Sequence, residues 1–565
     1  MASLSKSNRT TIRRHVFKAC EGCRQQKTRC SGESPCARCV KLGLPCVIRS
    51  VARQRRDNAT ESAQNDCPDS LMMALKPVRV RNAATGRTTV YGPTSTIALL
   101  HLIARESRSS PSPPPGALQS VIDSNLSIDP LNYGPLLAQQ HHCSLSLQAS
   151  LTPPLCITTI PNNILQFFLQ KYVVTAWKLL PLQSPTQLQA VYNSSYRALS
   201  SNSAPPIMYP ILLYQLATGS LCTAQGELSD MLAQESELFM SAGGYLSDEL
   251  ELQLNVLMAF YHSEIGSLDK AYSMLGHIAS RIYAAGLHLE PRAPAVDRLL
   301  RMILSTESYL CIALGRPPLL SPNLTVSNKD EPLNTQIVTG LFEITKSILA
   351  ANQEPKATFD GVCHTIWNNH ARLESFWEEH EPTLLIAHTD PSSPGHVEEG
   401  MFLDTIMYEY AVIANLKPFL LYLGYSHIVD RTGKDPAFVE VASCTPVRQD
   451  PRVERALEII LTSAKRIISL IFGICQRGSV SKVRLSPEDL PMHSFFIETA
   501  CVSLIAYGLW CGDPGVVWES IDMGVRCLEE LQYQRVAAMR LAALRATIEQ
   551  SGLRRQEPRL VSVIG

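Results

Sequence analysis

The chain has 565 residues, of which 45% are hydrophobic and 18% charged, and its 51 Lys and Arg balance 51 Asp and Glu. This composition excludes a chain that is disordered throughout and allows roughly three or four domains. No uncharged apolar run reaches the roughly 18 residues of a membrane span. The best candidate, Thr499–Gly512, is too short and follows Glu498, so we expect a core helix there and no membrane partner.

The balanced total hides an uneven distribution of charge. Residues 1–56 hold 14 Lys and Arg against 2 Asp and Glu, a net charge of +12, whereas the remaining residues hold 37 against 49, or −12. So strong a positive field in so short a segment attracts a polyanion. Double-stranded DNA is therefore the predicted partner, and residues 1–15 are predicted to be a disordered basic tail.

Residues 16–50 are predicted to be a metal-binding domain, because the spacing C-x2-C-x6-C occurs twice in it. The candidate ligands are Cys20, Cys23, Cys30, Cys36, Cys39 and Cys46. Six thiolates are too many for one tetrahedral zinc and too few for two separate four-cysteine sites. Two ions need eight ligand positions, which six sulfurs fill if two of them bridge. Three disulfides in a secreted module are the alternative, but the first fourteen residues are polar and basic and contain no apolar secretory segment.

The two halves of this domain differ in the residues that follow the second cysteine. Cations and amides fill residues 24–29, whereas apolar and turn residues fill most of 40–45. A short helix carrying Arg24, Gln26 and Lys27 would present amides and an ammonium to base edges in the major groove. The first half is therefore predicted to face DNA.

The remaining cations of the N-terminal segment suit the phosphate backbone. Arg38 and Lys41 belong to the second half, and Arg53 to a basic stretch after it that extends the phosphate footprint or serves nuclear import. Arg29 is equally compatible with a DNA contact and with a solvated surface charge.

At these residues the chain resembles the fungal Zn2Cys6 binuclear-cluster transcription factors. The resemblance implies two Zn²⁺ ions per chain, with Cys20 and Cys36 bridging them. One ion would add Cys23 and Cys30 to the bridging pair, and the other would add Cys39 and Cys46. The resemblance also implies that Lys27 reads CGG-like triplets, that the protein acts in the nucleus on genes transcribed by RNA polymerase II, and that it meets the transcription machinery or co-regulators.

Residues 51–160 are predicted to be a mostly disordered Ser/Pro-rich linker with a short ordered island at 86–104. In the island, Tyr91-Gly92-Pro93 indicates a turn and Thr94 or Ser95 a helix N-cap. The island resembles an element found upstream of the regulatory domain in this family. Relatives often dimerise through a coiled coil after the cluster, but residues 57–76 contain no sustained heptad. The sequence therefore allows a homodimer but does not identify a segment that would form it.

From residue 161 onward the sequence predicts helices throughout, because apolar residues recur at intervals of three and four. An all-α regulatory domain is predicted over 161–430, with C-terminal helices packed on it over 431–565. The stretches Ala271–His288 and Tyr309–Pro318 resemble the fungal-specific transcription factor domain. Within them, Gly286 and Gly315 are predicted to be left-handed helix ends. The predicted fold is thus a small zinc-cluster module with two short helices, followed by a large all-α regulatory domain.

No catalytic motif accompanies these features. The sequence contains no P-loop, no H-E-x-x-H and no G-x-S-x-G, and His288 and His364 have no nucleophile spaced to work with them. We therefore predict no enzyme. The predicted function is sequence-specific transcription regulation. The family resemblance alone suggests a metabolic or secondary-metabolite gene cluster as the target. The alternative is a helical interaction protein that the zinc module scaffolds, with incidental DNA binding.

Overall fold

The structure is a computed structural model that forms two compact units, Met1–Asn65 and Asp66–Gly565. We call them the zinc unit and the helical unit. The structure describes residues 20, 23, 28, 30–31, 35–43, 46, 77–81, 88–108, 157–241, 246–289, 292–321, 324, 326, 333–353, 359–384, 400–432, 450–478, 491–511 and 514–553.

In the zinc unit, one short helix, α1 (Ala37–Leu42), follows Cys36 directly. Cys36 is its N-cap, because the Cys36 sulfur accepts a hydrogen bond from the backbone N–H of Cys39. The helix ends at Gly43, whose φ of +59° lies in the left-handed region that glycine adopts without strain. The second predicted helix falls on residues of the first half that lie outside the described part, apart from Cys23.

The helical unit opens with a β-hairpin followed by a helix. Strands β1 (Val78–Arg81) and β2 (Thr88–Tyr91) pair antiparallel, with Val78 opposite Tyr91. Helix α2 (Thr96–Arg108) comes next. Its N-cap is Ser95, since the Ser95 hydroxyl accepts the backbone N–H of Ile97 at 3.2 Å. This ordered element extends on both sides of the predicted island at 86–104, and the strands were not predicted.

The other described helices of this unit number fourteen. They are α3 (Asn162–Val174), α4 (Pro185–Ser200), α5 (Tyr209–Leu221), α6 (Glu227–Ser241), α7 (Asp248–Glu264), α8 (Leu268–Ala284), α9 (Pro294–Leu314), α10 (Leu333–Gln353), α11 (Phe359–Leu384), α12 (Gly400–Thr432), α13 (Pro451–Gly478), α14 (Met492–Cys511), α15 (Pro514–Glu530) and α16 (Arg535–Ser551). Short 3-10 turns occupy Ile157–Thr159 and Ala176–Lys178. The predicted fold class, a zinc module and a large helical region, is confirmed.

One hydrophobic core runs through the described part of the helical unit, from Val80 on β1 to Leu553 after α16. The predicted division at residue 430 falls inside α12, and side chains from both sides of it share this core. Gly286 and Gly315 have φ values of +68° and +66°. Their predicted role as left-handed helix ends is thereby confirmed.

Helix α14 is the central core helix. By length and composition it is apolar enough to cross a membrane, but 83% of its most apolar window is buried inside the unit. The helix begins at Met492, seven residues before the predicted apolar stretch, and contains Glu498. A buried ion pair with Arg540 on α16 satisfies that carboxylate, and the Arg540 guanidinium lies 5.2 Å from the centroid of the Phe495 ring.

A second buried carboxyl joins α7 to the start of α14. Oε2 of Glu264 accepts the backbone N–H of Met492 at 2.9 Å. Burial raises the pKa of Glu264 to about 8, far above the ordinary value of 4.5, because the charged form loses its hydration. At neutral pH this carboxyl is therefore mostly protonated in the folded chain.

We expect Glu264→Gln to stabilise the helical unit in a pH-dependent way. The unfolded carboxyl ionises above pH 4.5, whereas the folded one holds its proton until about pH 8. Wild-type stability therefore falls as pH rises between these values, and the neutral amide does not share this loss. The Tm difference between variant and wild type should grow from pH 5 to pH 8 and then level off. Thermal unfolding of the full chain across this range measures it.

The matched control is Glu249→Gln, which changes an exposed carboxylate at the start of the same helix. Its Tm difference from wild type should stay small at every pH. Parallel pH profiles for Glu264→Gln and wild type would show that Glu264 ionises normally in the folded chain.

Candidate metal centre

Four cysteine sulfurs of the zinc unit form a compact group. The sulfurs of Cys20, Cys23, Cys36 and Cys39 all lie within 4.8 Å of one another, and all four residues are buried. The Cys20 sulfur is 3.7 Å from that of Cys36 and 3.6 Å from that of Cys39. The sulfurs of Cys23 and Cys36 are also 3.7 Å apart.

These separations match the ligand spacing of a tetrahedral zinc. With a Zn–S bond of about 2.3 Å, two sulfurs on one ion lie about 3.8 Å apart. Cys20 of the first half has this spacing to Cys39 of the second half, and Cys36 of the second half has it to Cys23 of the first. Cys20 and Cys36 also have it to each other. Each of these two sulfurs therefore lies where it can serve both halves.

The other two cysteines are held in the same way in each half. The backbone N–H of Cys20 points to the sulfur of Cys30 at 3.5 Å, and the N–H of Cys36 points to the sulfur of Cys46 at 3.2 Å. In both halves, then, the first cysteine donates to the third. The repeat in the sequence is therefore also a repeat in the structure.

Hydrogen-bond donors favour the thiolate form at the two central sulfurs. The N–H of Cys39 lowers the pKa of Cys36 to about 6, and the N–H of Cys23 lowers the pKa of Cys20. In contrast, burial raises the pKa of Cys23 to about 12, and the bond with Cys36 raises the pKa of Cys39. Thiolate is the form that binds zinc. The two sulfurs between the halves are thus the best prepared to carry negative charge.

Two hydroxyl residues that sequence reasoning missed shape the loops of the cluster. The backbone N–H of Thr28 donates to the carbonyl of Cys23 at 2.9 Å, and its hydroxyl donates to the same carbonyl at 3.4 Å. The Ser31 hydroxyl accepts the N–H of Ala37 at 3.0 Å, at the start of α1. Ser and Thr side chains often form such hydrogen bonds with nearby backbone groups. The presence of Thr28 and Ser31 close to the cysteines is therefore the sequence signal that could have identified them.

Of the predicted DNA-contacting residues, the structure describes Arg38 and Lys41. Both lie on α1, three positions apart and hence on one face, with Arg38 partly buried and Lys41 exposed. The remaining five lie outside the described residues: Arg24, Gln26, Lys27, Arg29 and Arg53. Their DNA contacts stay predictions.

His288 and His364, which have no nucleophile spaced to work with them in the sequence, each contact a nearby side chain in the structure. His288 packs edge-on against Tyr283, with ring centroids 5.0 Å apart. The Nδ1 atom of His364 lies 3.2 Å from the side-chain amide of Asn368, one turn along α11. Both contacts are of the kind that a structural histidine makes.

The geometry defines a binuclear zinc–thiolate module attached to a helical protein. Residues 18–56 match the fungal Zn(2)-Cys(6) binuclear cluster domain. This domain binds two zinc ions and is not an enzyme family.

Curated relatives share only a short segment with this chain. The xylanolytic transcriptional activator xlnR of Aspergillus flavus is 37% identical over 59 residues, which are 10% of this chain and 6% of that protein. The activators of the same name from Emericella nidulans and Neosartorya fischeri are 36% and 37% identical over 59 and 54 residues, again 10% of this chain and 6% and 5% of theirs. No solved structure matches the chain.

We expect Cys36→Ala to disturb both zinc ions and Cys46→Ala to disturb one. A bridging sulfur serves two ions, whereas a terminal sulfur serves one and leaves the other ion its four ligands. Elemental analysis of the full chain should give two zinc per wild-type chain, about one for Cys46→Ala, and clearly less than one for Cys36→Ala.

Cys511→Ala is the control, because Cys511 is an exposed cysteine of the helical unit. This variant should retain two zinc per chain. Equal zinc contents for Cys36→Ala and Cys46→Ala would contradict a bridging role for Cys36.

Proposed function

We propose that the protein is a nuclear, sequence-specific DNA-binding transcription factor that regulates genes transcribed by RNA polymerase II. The observation that carries the proposal is the match of residues 18–56 to the fungal binuclear cluster domain, together with the compact group formed by the sulfurs of Cys20, Cys23, Cys36 and Cys39. The net charge of +12 over residues 1–56 supports DNA as the partner.

The zinc ions hold the zinc unit in shape. In this proposal Cys20 and Cys36 bridge, Cys23 and Cys30 complete one site, and the second site takes the sulfurs of Cys39 and Cys46. A module this small has few apolar side chains to bury, so metal binding supplies most of its folding free energy. Bound zinc thus fixes the direction in which the basic side chains face DNA.

Within the DNA interface we assign base reading to the first half of the cluster. Arg24, Gln26 and Lys27 contact base edges of a CGG-like triplet, and Arg29 lies beside them. Arg38 and Lys41 on α1, with Arg53 after the cluster, contact phosphates. The shared face of Arg38 and Lys41 supports their part of this division, since phosphate contacts position a protein without reading sequence.

The helical unit is proposed to regulate the zinc unit and to meet co-regulators or a second copy of the chain. The matched relatives are named xylanolytic transcriptional activators, so a role in metabolic gene control is the nearest parallel. A pathway-specific regulator of a metabolic or secondary-metabolite gene cluster is the form we propose for this chain.

The competing function is a zinc-scaffolded helical interaction protein whose DNA binding is incidental. A gel shift of the zinc-loaded full chain on CGG-containing and triplet-scrambled DNA of equal length separates the two functions. Preference for the CGG probe at physiological salt supports the transcription factor. Equal binding of both probes, weakening steeply with salt, supports incidental electrostatic binding.

We expect Lys27→Ala to remove about 1–3 kcal/mol of discrimination between CGG and a mutated triplet, because a base-edge contact is lost. Arg53→Ala should weaken binding to all DNA about equally and flatten the salt dependence, because a phosphate contact is lost. Fluorescence anisotropy titrations on a panel of sites at several salt concentrations measure both effects.

Lys270→Ala, which removes an exposed cation of the helical unit, is the control and should change neither quantity. All three variants should retain two zinc per chain. If Lys27→Ala and Arg53→Ala behave alike across the panel, the division between base-reading and phosphate-binding residues is wrong.

A further inference from the structure

A cavity of about 410 Å³ lies among helices α11, α12 and α13 of the helical unit. Small-molecule sites in proteins usually measure about 300–1,000 Å³, so the cavity is large enough for one small ligand. Helix α11 lines it with His370 and Glu374, which are four residues apart and therefore share one face. Helix α13 lines it with one face that runs from Arg455 to Arg466.

The inner wall of the cavity is mostly apolar and carries one imidazole. Tyr408 and Val412 on α12 are buried, and Ile459 on α13 is half-buried beside them. His370 is only 3% exposed. A wall of this kind suits a ligand that has an apolar portion and one polar end.

The imidazole of His370 has a buried ring nitrogen without a hydrogen-bond partner. Nε2 lies 3.6 Å from Oε1 of Glu374, whereas Nδ1 is buried and bonds to no other group. Burial lowers the pKa of His370 below its ordinary value of 6.5, so the ring is neutral at pH 7. The carboxylate attracts the single ring proton to Nε2, which leaves Nδ1 as an acceptor. A ligand with an N–H group would satisfy this acceptor.

The charges around the cavity favour a cationic ligand. Three carboxylates line it, those of Glu374, Glu409 and Glu458, and two guanidiniums, those of Arg455 and Arg466. With the imidazole neutral, the lining therefore has a net charge of −1. A positive group entering the cavity would balance it.

Arg466 is already committed to a partner inside the protein. Its Nη1 donates to Oε1 of Glu409 at 2.5 Å, and the Glu409 side chain is only 2% exposed. The guanidinium also lies 6.0 Å from the centroid of the Trp377 ring. Turning Arg466 toward an anionic ligand would leave a buried carboxylate unpaired, which costs more than a surface ion pair returns.

Arg455 is held much more loosely at the solvent side of the cavity. Its side chain is 64% exposed, and its Nη2 lies 3.7 Å from Oε1 of Glu374, which is itself 48% exposed. Exposed pairs of this kind contribute little to stability. A ligand cation can therefore replace Arg455 beside Glu374 without breaking a buried ion pair.

A metal ion fits the cavity less well than an organic cation. Of the residues that the structure describes, only four cysteines of the zinc unit bring three or more potential metal-binding atoms within 4.8 Å of one another. The carboxylates of the cavity and His370 do not converge in this way. An ammonium needs no such convergence, because it donates up to three hydrogen bonds of its own.

We propose that this cavity binds a small organic molecule that has a primary ammonium group and an apolar portion. The ammonium donates to Nδ1 of His370, and the carboxylates of Glu374 and Glu458 balance its charge. The apolar portion packs against Val412 and Ile459. The site belongs to the helical unit alone and does not depend on the proposed DNA binding.

Calorimetric titration of the zinc-loaded full chain with phenethylamine tests the proposal. This probe carries a primary ammonium on a short chain that ends in an apolar ring. Phenethyl alcohol and hydrocinnamate have a similar size but replace the ammonium with a hydroxyl and a carboxylate. Phenethylamine should bind one site per chain, about tenfold more tightly than either analogue, because a charged donor bonds more strongly than a neutral one.

Hydrogen exchange locates the bound probe. Phenethylamine should slow amide exchange in α11 and α13 and leave α6, which does not line the cavity, unchanged. Mg²⁺ at the same concentration should not produce this protection.

Two variants remove the proposed ligand contacts. His370→Phe keeps a ring but removes the acceptor, and should weaken phenethylamine binding about tenfold or more. Glu374→Gln removes one balancing charge and should weaken it about twofold to fivefold. The control is Glu378→Gln, which changes an exposed carboxylate one turn further along α11, outside the cavity, and should bind like wild type.

Because the Glu374 side chain is half-exposed, its variant tests the site even if His370→Phe folds poorly. Three results would overturn the proposal. They are no binding of phenethylamine at millimolar concentration, tighter binding of hydrocinnamate or protection by Mg²⁺, and equal phenethylamine affinity in wild type and Glu374→Gln. None of them bears on the proposed function, which the gel shift tests separately.

Discussion

The number of cysteine sulfurs available to bind zinc is the main constraint on the structure of the zinc unit. Two tetrahedral ions require eight ligand positions and the twofold repeat supplies six sulfurs, so the halves must meet at shared atoms. The spacings among Cys20, Cys23, Cys36 and Cys39 fit that requirement. Everything proposed for DNA recognition depends on it, because a small segment with little apolar surface gains a fixed shape only from its metal.

The helical unit is stabilised in a different way. Its core is continuous from the hairpin to the last helix, and its central helix α14 is apolar and largely buried in that core. Glu498 is paired with Arg540, and Glu264 holds its proton. The two units thus differ in what holds them together, ion binding in one and hydrophobic burial in the other.

The parts of the structure that the sequence predicted are those set by local pattern. Cysteine spacing, helical periodicity and glycine at helix ends each depend on residues a few positions apart, and Gly286, Gly315 and Ser95 behave as their neighbours indicate. The attachment of the hairpin and α2 to the other helices could not be predicted in this way. Thr94 bonds to Ile312 and Lys417, more than 200 and 300 positions away, and Glu106 bonds to Trp510 over 400 positions away. Strand β1 was missed because four residues of alternation inside a polar segment carry little signal.

The contact between Gly92 and Gly315 has a consequence for how this protein can change over generations. Because the two main chains touch, a larger residue at either position meets backbone and not a side chain that could be trimmed. Glycine is already the smallest residue, so no substitution at one position makes room for a change at the other. Second-site suppressors of a change at Gly92 would therefore arise elsewhere, in residues that shift the end of α9 as a whole. Both positions are therefore expected to remain glycine. Paired substitutions, which usually reveal a contact between two side chains, would not reveal this one.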